Sequence, residues 1–124
     1  MDYSQILLIV GRVLLGGLFV YGGAHHFFIM DAILPAMQAR GVPAPRLALI
    51  GGSVFQILAG LLLMLGVFAG WAALGLVLFT LLASIMLLNF WDLEGPAREA
   101  SRQGFQTNIA IMGGLLIAAA QAGL

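Results

Sequence analysis

The amino-acid sequence predicts an all-α integral membrane protein, a four-helix bundle with a long loop between its first two spans. Two observations predict this class. Hydrophobic residues make up 62% of the 124 residues and charged residues only 8%, whereas a soluble domain is about half apolar and a quarter charged. Four apolar stretches each provide the roughly 20 residues that a helix needs to cross a hydrocarbon core of ~30 Å.

A chain of this length is one domain, covering residues 1–124. The predicted spans lie at about residues 6–28, 47–68, 71–90 and 105–122. The first five residues lack the basic start of a cleaved signal, and the apolar run that follows is too long for one, so we expect the first span to stay in the membrane. The loop at Gly66–Gly70 is short and uncharged, which predicts that the second and third spans are antiparallel neighbours.

The loop between the first two spans contains a second apolar piece. Ile29–Met37 is too short to cross the bilayer. We expect a brief interfacial or re-entrant helix there, kinked or started at Pro35.

Arginine positions predict the orientation. Four spans place both termini on one face of the membrane, here called side A, and the opposite face is side B. Side B carries Arg40, Arg46, Arg98 and Arg102, whereas side A carries Arg12 and the terminal amine. The positive-inside rule then predicts periplasmic termini and a cytoplasmic side B.

Several function classes are excluded by composition. The chain has no cysteine, so it cannot form a disulfide relay, a thiol-disulfide enzyme or a thiolate-bound metal centre. We expect no metal site, because no cluster of metal ligands is present. Zero net charge and the absence of lysine argue against a nucleic-acid partner. A proton-coupled transporter is disfavoured because no carboxylate lies within any predicted span.

Arg12 is the one charge deep inside an apolar span. It lies about 7 residues into the first span, ~10 Å from side A at 1.5 Å per residue. One interpretation is that it extends to lipid phosphate and caps the C-terminal carbonyls of a neighbouring helix. The alternative is a buried polar anchor facing a cavity, where it could reach Gln56 near the bilayer middle.

His25 and His26 end the first span on side B. Adjacent residues on a helix point ~100° apart, so both cannot face one ligand. They are the only histidines, which excludes a two-histidine haem within one chain. A single axial haem ligand is the remaining haem role, and we do not expect it. The alternatives are a polar cap at the membrane interface and a proton-handling or quinone-contacting role.

Polar residues from several spans converge at side B. Amides buried in lipid need hydrogen-bond partners, and these side chains outline a polar pocket open toward side B and floored by Gln56, or else a purely structural amide network. The candidate ligand-binding residues are Arg12, His25, His26, Gln56, Asn89, Trp91 and Asn108.

Small residues predict where the spans pack closely. In lipid, close backbone approach replaces the hydrophobic effect as the reason that helices associate. The first span carries two glycine pairs, Gly16-Gly17 and Gly22-Gly23. The second span has small residues every seven positions, at Gly52, Ala59 and Gly66. The fourth span has them every four positions, at Ala110, Gly114, Ala118 and Ala122.

Five segments, in this order and spacing, resemble the DoxX family of small four-helix membrane proteins over nearly the whole chain. They are Gly11–Leu15, Gly41–Pro43, Gly60–Gly66, Asn89–Trp91 and Asn108–Leu115. The resemblance implies a bacterial inner-membrane protein linked to redox metabolism, since relatives are associated with thiosulfate:quinone oxidoreductase and with membrane-bound oxidative-stress assemblies.

The chain departs from the common family pattern at three polar positions. His26 stands where a lysine is frequent, Gln56 where a glutamate is frequent, and Leu88 where a histidine often precedes Asn-Phe-Trp. The change to Gln56 leaves Arg12 without the ionic partner that the family pattern implies.

Two functions follow from these observations. The first is a redox-associated subunit that binds a quinone or other amphiphile in the side-B pocket and moves protons through His25 or His26. The second is a non-catalytic assembly or scaffold protein of a redox or stress-response complex, which docks a partner or a second copy through its small-residue stripes. The sequence does not name a catalytic residue for either.

Overall fold

The computed structural model describes residues 2–123, and all regular structure in that range is helical. Its helices are α1 (Tyr3–Phe28), α2 (Met30–Ala39), α3 (Pro45–Leu65), α4 (Ala69–Leu87) and α5 (Gly95–Gln121), with one 3-10 turn at Phe90–Asp92. The all-α prediction is confirmed.

Three of the described helices are long and apolar enough to cross a membrane. These are Tyr3–Phe28, Pro45–Leu65 and the segment Ala69–Asp92, which combines α4 with the turn that follows it. The chain is therefore a helical membrane protein. The helix α5 begins with a polar, charged stretch before its apolar part, and its role as a fourth span stays a prediction.

The helix ends have local causes. Asp2 and Gln5 form a capping box at the start of α1, in which Asp2 Oδ1 accepts a hydrogen bond from the Gln5 amide at 2.9 Å. Gly66, at a φ of 74°, ends α3 in the left-handed conformation that glycine adopts without strain. As a result, α1 begins at Tyr3, before the predicted residue 6, and α3 ends at Leu65, before the predicted residue 68.

The short loop helix is present as α2. It begins at Met30 and includes Pro35 in its interior, so Pro35 does not start it. Its buried side chains Leu34 and Met37 pack with Val42 and Leu49, and Arg40 donates a hydrogen bond to the Leu87 carbonyl at the end of α4. These contacts dock α2 over the side-B ends of α3 and α4, while its depth in the membrane stays a prediction.

Glycine brings α1 and α3 together as antiparallel neighbours. A Cβ atom on Gly60 would lie 2.7 Å from the Gly16 carbonyl oxygen, and one on Gly23 would lie 2.9 Å from the Ser53 carbonyl oxygen. Both distances are too short for any side chain, so the two backbones touch directly. Of the glycine pairs that thin the first span, Gly16 and Gly23 lie at this contact, whereas a Cβ atom on Gly17 would meet nothing within 4 Å.

The buried face of α5 differs from the small-residue stripe that was predicted for the fourth span. Gly114 packs against Leu15 of α1, but Ala110 and Ala122 are exposed. The buried residues of α5 are Leu115 and Ala119, which join the core formed with α1, α3 and α4. The spacing of four was right, but the buried residues lie one position further along the chain than the predicted stripe and include the large side chain of Leu115.

Candidate functional site

A cavity of about 600 Å³ opens among α1, α3, α4 and α5 in the half of the molecule toward side B. Its walls are mainly aliphatic and aromatic, and Ile33, Met37 and Val42 extend them from α2 and the following loop. The polar side chains that line it are His26, Ser53, Gln56, Thr80, Thr107 and Asn108. A mostly apolar hollow with a few polar groups is the usual character of a small-molecule site.

His26 and Ser53 form the polar pair of the α1–α3 wall. The His26 Nδ1 atom lies 3.0 Å from Ser53 Oγ, and the tautomer of the imidazole decides which of the two donates the hydrogen bond. Ser53 is buried, whereas His26 is only partly buried. The pair can therefore offer either a donor or an acceptor to a neighbouring group.

Gln56 is the deepest amide of the cavity. Its side chain is only 6% exposed, and its Nε2 donates a hydrogen bond to the Phe19 carbonyl of α1 at 3.1 Å. Gly22 leaves room for this amide, because a Cβ atom there would lie 2.9 Å from Nε2. The Oε1 atom is buried, and no group in residues 2–123 donates a hydrogen bond to it.

The opposite wall carries a short polar chain between α5 and α4. Asn108 Nδ2 donates to Ser84 Oγ at 2.9 Å, and Ser84 Oγ donates to the Thr80 carbonyl at 2.6 Å. Thr80 is 4% exposed, and its hydroxyl has no hydrogen-bond partner within the described part of the chain. Buried polar atoms are normally bonded, so Thr80 Oγ1 and Gln56 Oε1 are two unsatisfied oxygens on residues that line the cavity.

Three of the predicted site residues thus line one cavity: His26, Gln56 and Asn108. His25 does not line it, because its ring faces outward and stacks on Tyr21 with the ring centroids 5.7 Å apart. Of two histidines that point in different directions, only His26 is directed inward.

Asn89 and Trp91 also lie outside the cavity lining. Asn89 donates to the Asp92 carboxylate at 3.2 Å, and Trp91 packs edge-on against Phe90 and Phe105, with ring centroids 5.4 and 5.9 Å away. Asn89 therefore bonds within its own loop and Trp91 packs on the N-terminal part of α5 through Phe105, so neither contacts Gln56.

Arg12 lies at the opposite end of α1. Its guanidinium faces Gly66 at the C-terminal end of α3, where a Cβ atom would be 3.1 Å from the guanidinium carbon. Of the two interpretations, the approach of Arg12 to Gln56 is not observed, because the guanidinium lies against Gly66 and Gln56 bonds to the Phe19 carbonyl, seven residues further along α1. The position fits the other interpretation, in which Arg12 neutralises the carbonyl end of a neighbouring helix.

Ser53, Thr80 and Ser84 were not predicted. A signal for them was present: Ser53 precedes Gln56 by three residues, and Thr80 precedes Ser84 by four, so each pair shares one helix face. In an apolar span, polar residues that share a face are expected to point into the protein.

The comparisons with known proteins agree with the fold. The DoxX family model matches residues 7–89, which end before α5 begins. The inner membrane protein YphA of Escherichia coli (strain K12) is 28% identical over 114 residues, which are 92% of this chain and 81% of that protein. No solved structure matches. This relative and the three apolar helices support a bacterial inner-membrane location.

Proposed function

Since the chain belongs to the DoxX family, we propose that it is a redox-associated inner-membrane subunit that binds a quinone or similar amphiphile in the cavity. The observation that supports this most is that two residues lining the mostly apolar cavity, Gln56 and Thr80, each have a buried oxygen, Oε1 and Oγ1, without a hydrogen-bond partner among residues 2–123. Leaving such atoms unpaired costs about 1–3 kcal/mol each. A ligand with a polar headgroup and an apolar tail offsets this cost and fills the hollow.

The spacing of the polar groups suits a ring with oxygens on opposite edges. Ser53 and Gln56 are three residues apart on α3, which separates them by ~4.5 Å along the helix axis. A quinone bound between them would have one oxygen near the His26–Ser53 pair and the other near Gln56 and Thr80. In this arrangement His26, at the side-B end of the cavity, is the group that exchanges protons with water.

The membrane arrangement is part of the proposal. The apolar part of α5 forms a fourth span, so that both termini lie on the periplasmic side and α2 lies at the cytoplasmic interface. The arginine distribution supports this orientation.

Equilibrium binding of a short-tailed quinone to the protein in nanodiscs tests the proposal. We expect Gln56→Leu and Thr80→Val each to weaken binding severalfold, because each removes one polar contact while preserving the approximate volume. Gln106→Leu is the matched control, since Gln106 is an exposed residue of α5 outside the cavity lining. Failure of the wild-type protein to bind any quinone would contradict the proposal.

The second candidate, a non-catalytic assembly protein, is favoured by the outer face of α1. Leu7, Leu14, Tyr21 and Phe28 recur every seven residues and are 70%, 70%, 69% and 86% exposed. A heptad stripe of this kind suits packing against another helix. Cross-linking in native membranes tests it: a defined dimer or hetero-complex through α1 favours assembly, and isolated monomers count against it.

A further inference from the structure

We propose that Arg12 forms a binding site on side A for one phospholipid whose headgroup carries a phosphate but no cation. The site lies toward the opposite end of α1 from the cavity, and it does not depend on what the cavity binds. A lipid of the side-A leaflet occupies it, with its phosphate on the guanidinium and its acyl chains along the neighbouring apolar surface.

The guanidinium of Arg12 lies flat on the turn that ends α3. A Cβ atom on Gly66 would lie 3.1 Å from the guanidinium carbon and 3.1 and 3.2 Å from its two terminal nitrogens. Nearly equal distances to these three atoms mean that the plane of the group faces Gly66. The N–H groups lie in that plane, so they are not directed at the glycine and can bond to a group beside it.

The protein does not supply an anion for this cation. The Nε atom of Arg12 is buried without a hydrogen-bond partner in the described part of the chain, and no carboxylate there forms an ion pair with the guanidinium. Two carbonyls at the end of α3 are already occupied, because they accept hydrogen bonds from the Gly66 and Val67 amides at 3.2 and 3.0 Å. The dipole of α3 offsets only about half a unit charge, and the rest of the charge is left for an external anion.

The surroundings of Gly66 lie at the level expected for lipid headgroups. The helix α3 ends at Leu65 and α4 begins at Ala69, so the turn between them is the edge of two apolar spans. Trp71 is exposed just beyond this turn, and tryptophan concentrates at the membrane interface. Arg12 is only partly buried, so a lipid phosphate at this level can reach its guanidinium.

The chemistry of the site favours a phosphodiester with apolar chains. A planar guanidinium matches two phosphate oxygens with parallel N–H bonds. Leu65, Val67 and Phe68 are exposed around the same turn, and acyl chains cover such apolar surface more favourably than water does. A headgroup with its own ammonium brings a second cation close to Arg12. Phosphatidylglycerol therefore suits the site better than phosphatidylcholine or inorganic phosphate.

The test measures lipid binding to the full chain in mild detergent by native mass spectrometry, with phosphatidylglycerol and phosphatidylcholine of the same acyl chains. We expect one phosphatidylglycerol per chain to bind about fivefold tighter than phosphatidylcholine, which is the attraction of one arginine for an anionic lipid. Arg12→Gln should abolish this preference, and Arg12→Lys, which keeps the charge but not the planar group, should retain part of it. Arg46→Gln is the matched control, because Arg46 is an exposed arginine at the other end of α3, and it should retain the preference.

The comparison of the two lipids on the unaltered protein keeps the test decisive even if Arg12→Gln fails to fold. Equal affinity for the two lipids would overturn the inference, and so would a preference that survives in Arg12→Gln or is lost equally in Arg46→Gln. Displacement of phosphatidylglycerol by inorganic phosphate at a similar concentration would also overturn it, because the site would then bind a free anion. No quinone enters these measurements, so none of their outcomes bears on the proposed function of the cavity.

Discussion

The side-chain amide of Gln56 donates a hydrogen bond to the main-chain carbonyl of Phe19 at 3.1 Å, and this bond joins α3 to α1 in the interior of the protein. It lies between two glycine contacts of the same pair of helices, Gly16 with Gly60 and Gly23 with Ser53. The glycines bring the backbones close enough for one amide to reach across. The same contact that packs the helices thus fixes the orientation of an amide on a residue that lines the cavity.

Gly22→Ala should weaken ligand binding without removing any functional group. The added Cβ atom would lie 2.9 Å from Gln56 Nε2, so the amide must move away from the Phe19 carbonyl. We expect the affinity for a short-tailed quinone to fall severalfold in nanodisc binding. Gly17→Ala is the control, because a Cβ atom there has nothing within 4 Å. Equal affinities in the two variants would refute the role of Gly22.

Gly60→Ala should destabilise the protein through packing. Its Cβ atom would lie 2.7 Å from the Gly16 carbonyl oxygen, and backbone atoms on both sides cannot yield as a flexible side chain can. We expect a loss of about 1–3 kcal/mol in the free energy of unfolding, measured by denaturation in mild detergent. Gly11→Ala, where a Cβ atom meets nothing within 4 Å, should change stability little. A stable Gly60→Ala variant would show that α1 and α3 are further apart.

The bond between Asn108 and Ser84 should contribute modestly to the packing of α5 on α4. Its length is 2.9 Å, and hydrogen bonds between membrane helices contribute about 0.6 kcal/mol on average. A double-mutant cycle of Asn108→Leu and Ser84→Ala, measured by unfolding in detergent, should give a coupling energy of about that size. Additive single effects would mean that the two side chains do not interact.

The topology can be measured by labelling single cysteines, because the chain has none of its own. A membrane-impermeant maleimide added to intact cells with a permeabilised outer membrane should label Ser4→Cys and Gly123→Cys but not Ala100→Cys. This pattern follows from periplasmic termini and a fourth span in α5. Labelling of Ser4→Cys without Gly123→Cys would show that α5 does not cross, and labelling of Ala100→Cys alone would invert the orientation.

The sequence alone was enough to predict the apolar part of each long helix, since apolar length needs no knowledge of partners, but it did not predict that α5 begins in the polar segment at Gly95, before the predicted residue 105. It also predicted that His26, Gln56 and Asn108 come together, because each residue's depth follows from its distance to the end of its helix. Depth does not show in which direction a side chain points around the helix axis. His25 and His26 lie at the same depth, but α1 is apolar on nearly every face, so no amphipathic pattern shows which histidine is directed inward.

Ser53, Thr80 and Ser84 were missed for a second physical reason. Serine and threonine can hydrogen-bond to the carbonyl four residues earlier in their own helix, as Ser84 does with Thr80. The presence of one such residue in a span therefore does not by itself require a partner on another helix, and only the shared helix face indicated one. The unused hydroxyl of Thr80 becomes visible only once the neighbouring helices are in place.

The most direct test of a ligand-binding cavity is the content of the protein as it is isolated from its native membrane. The protein is purified in mild detergent, extracted with organic solvent, and the extract is quantified by mass spectrometry beside that of a Gln56→Leu, Thr80→Val double variant. We predict about one quinone or quinol per wild-type chain, and clearly less from the double variant. An extract containing only bulk phospholipid, the same for both proteins, would contradict the account and favour the assembly function.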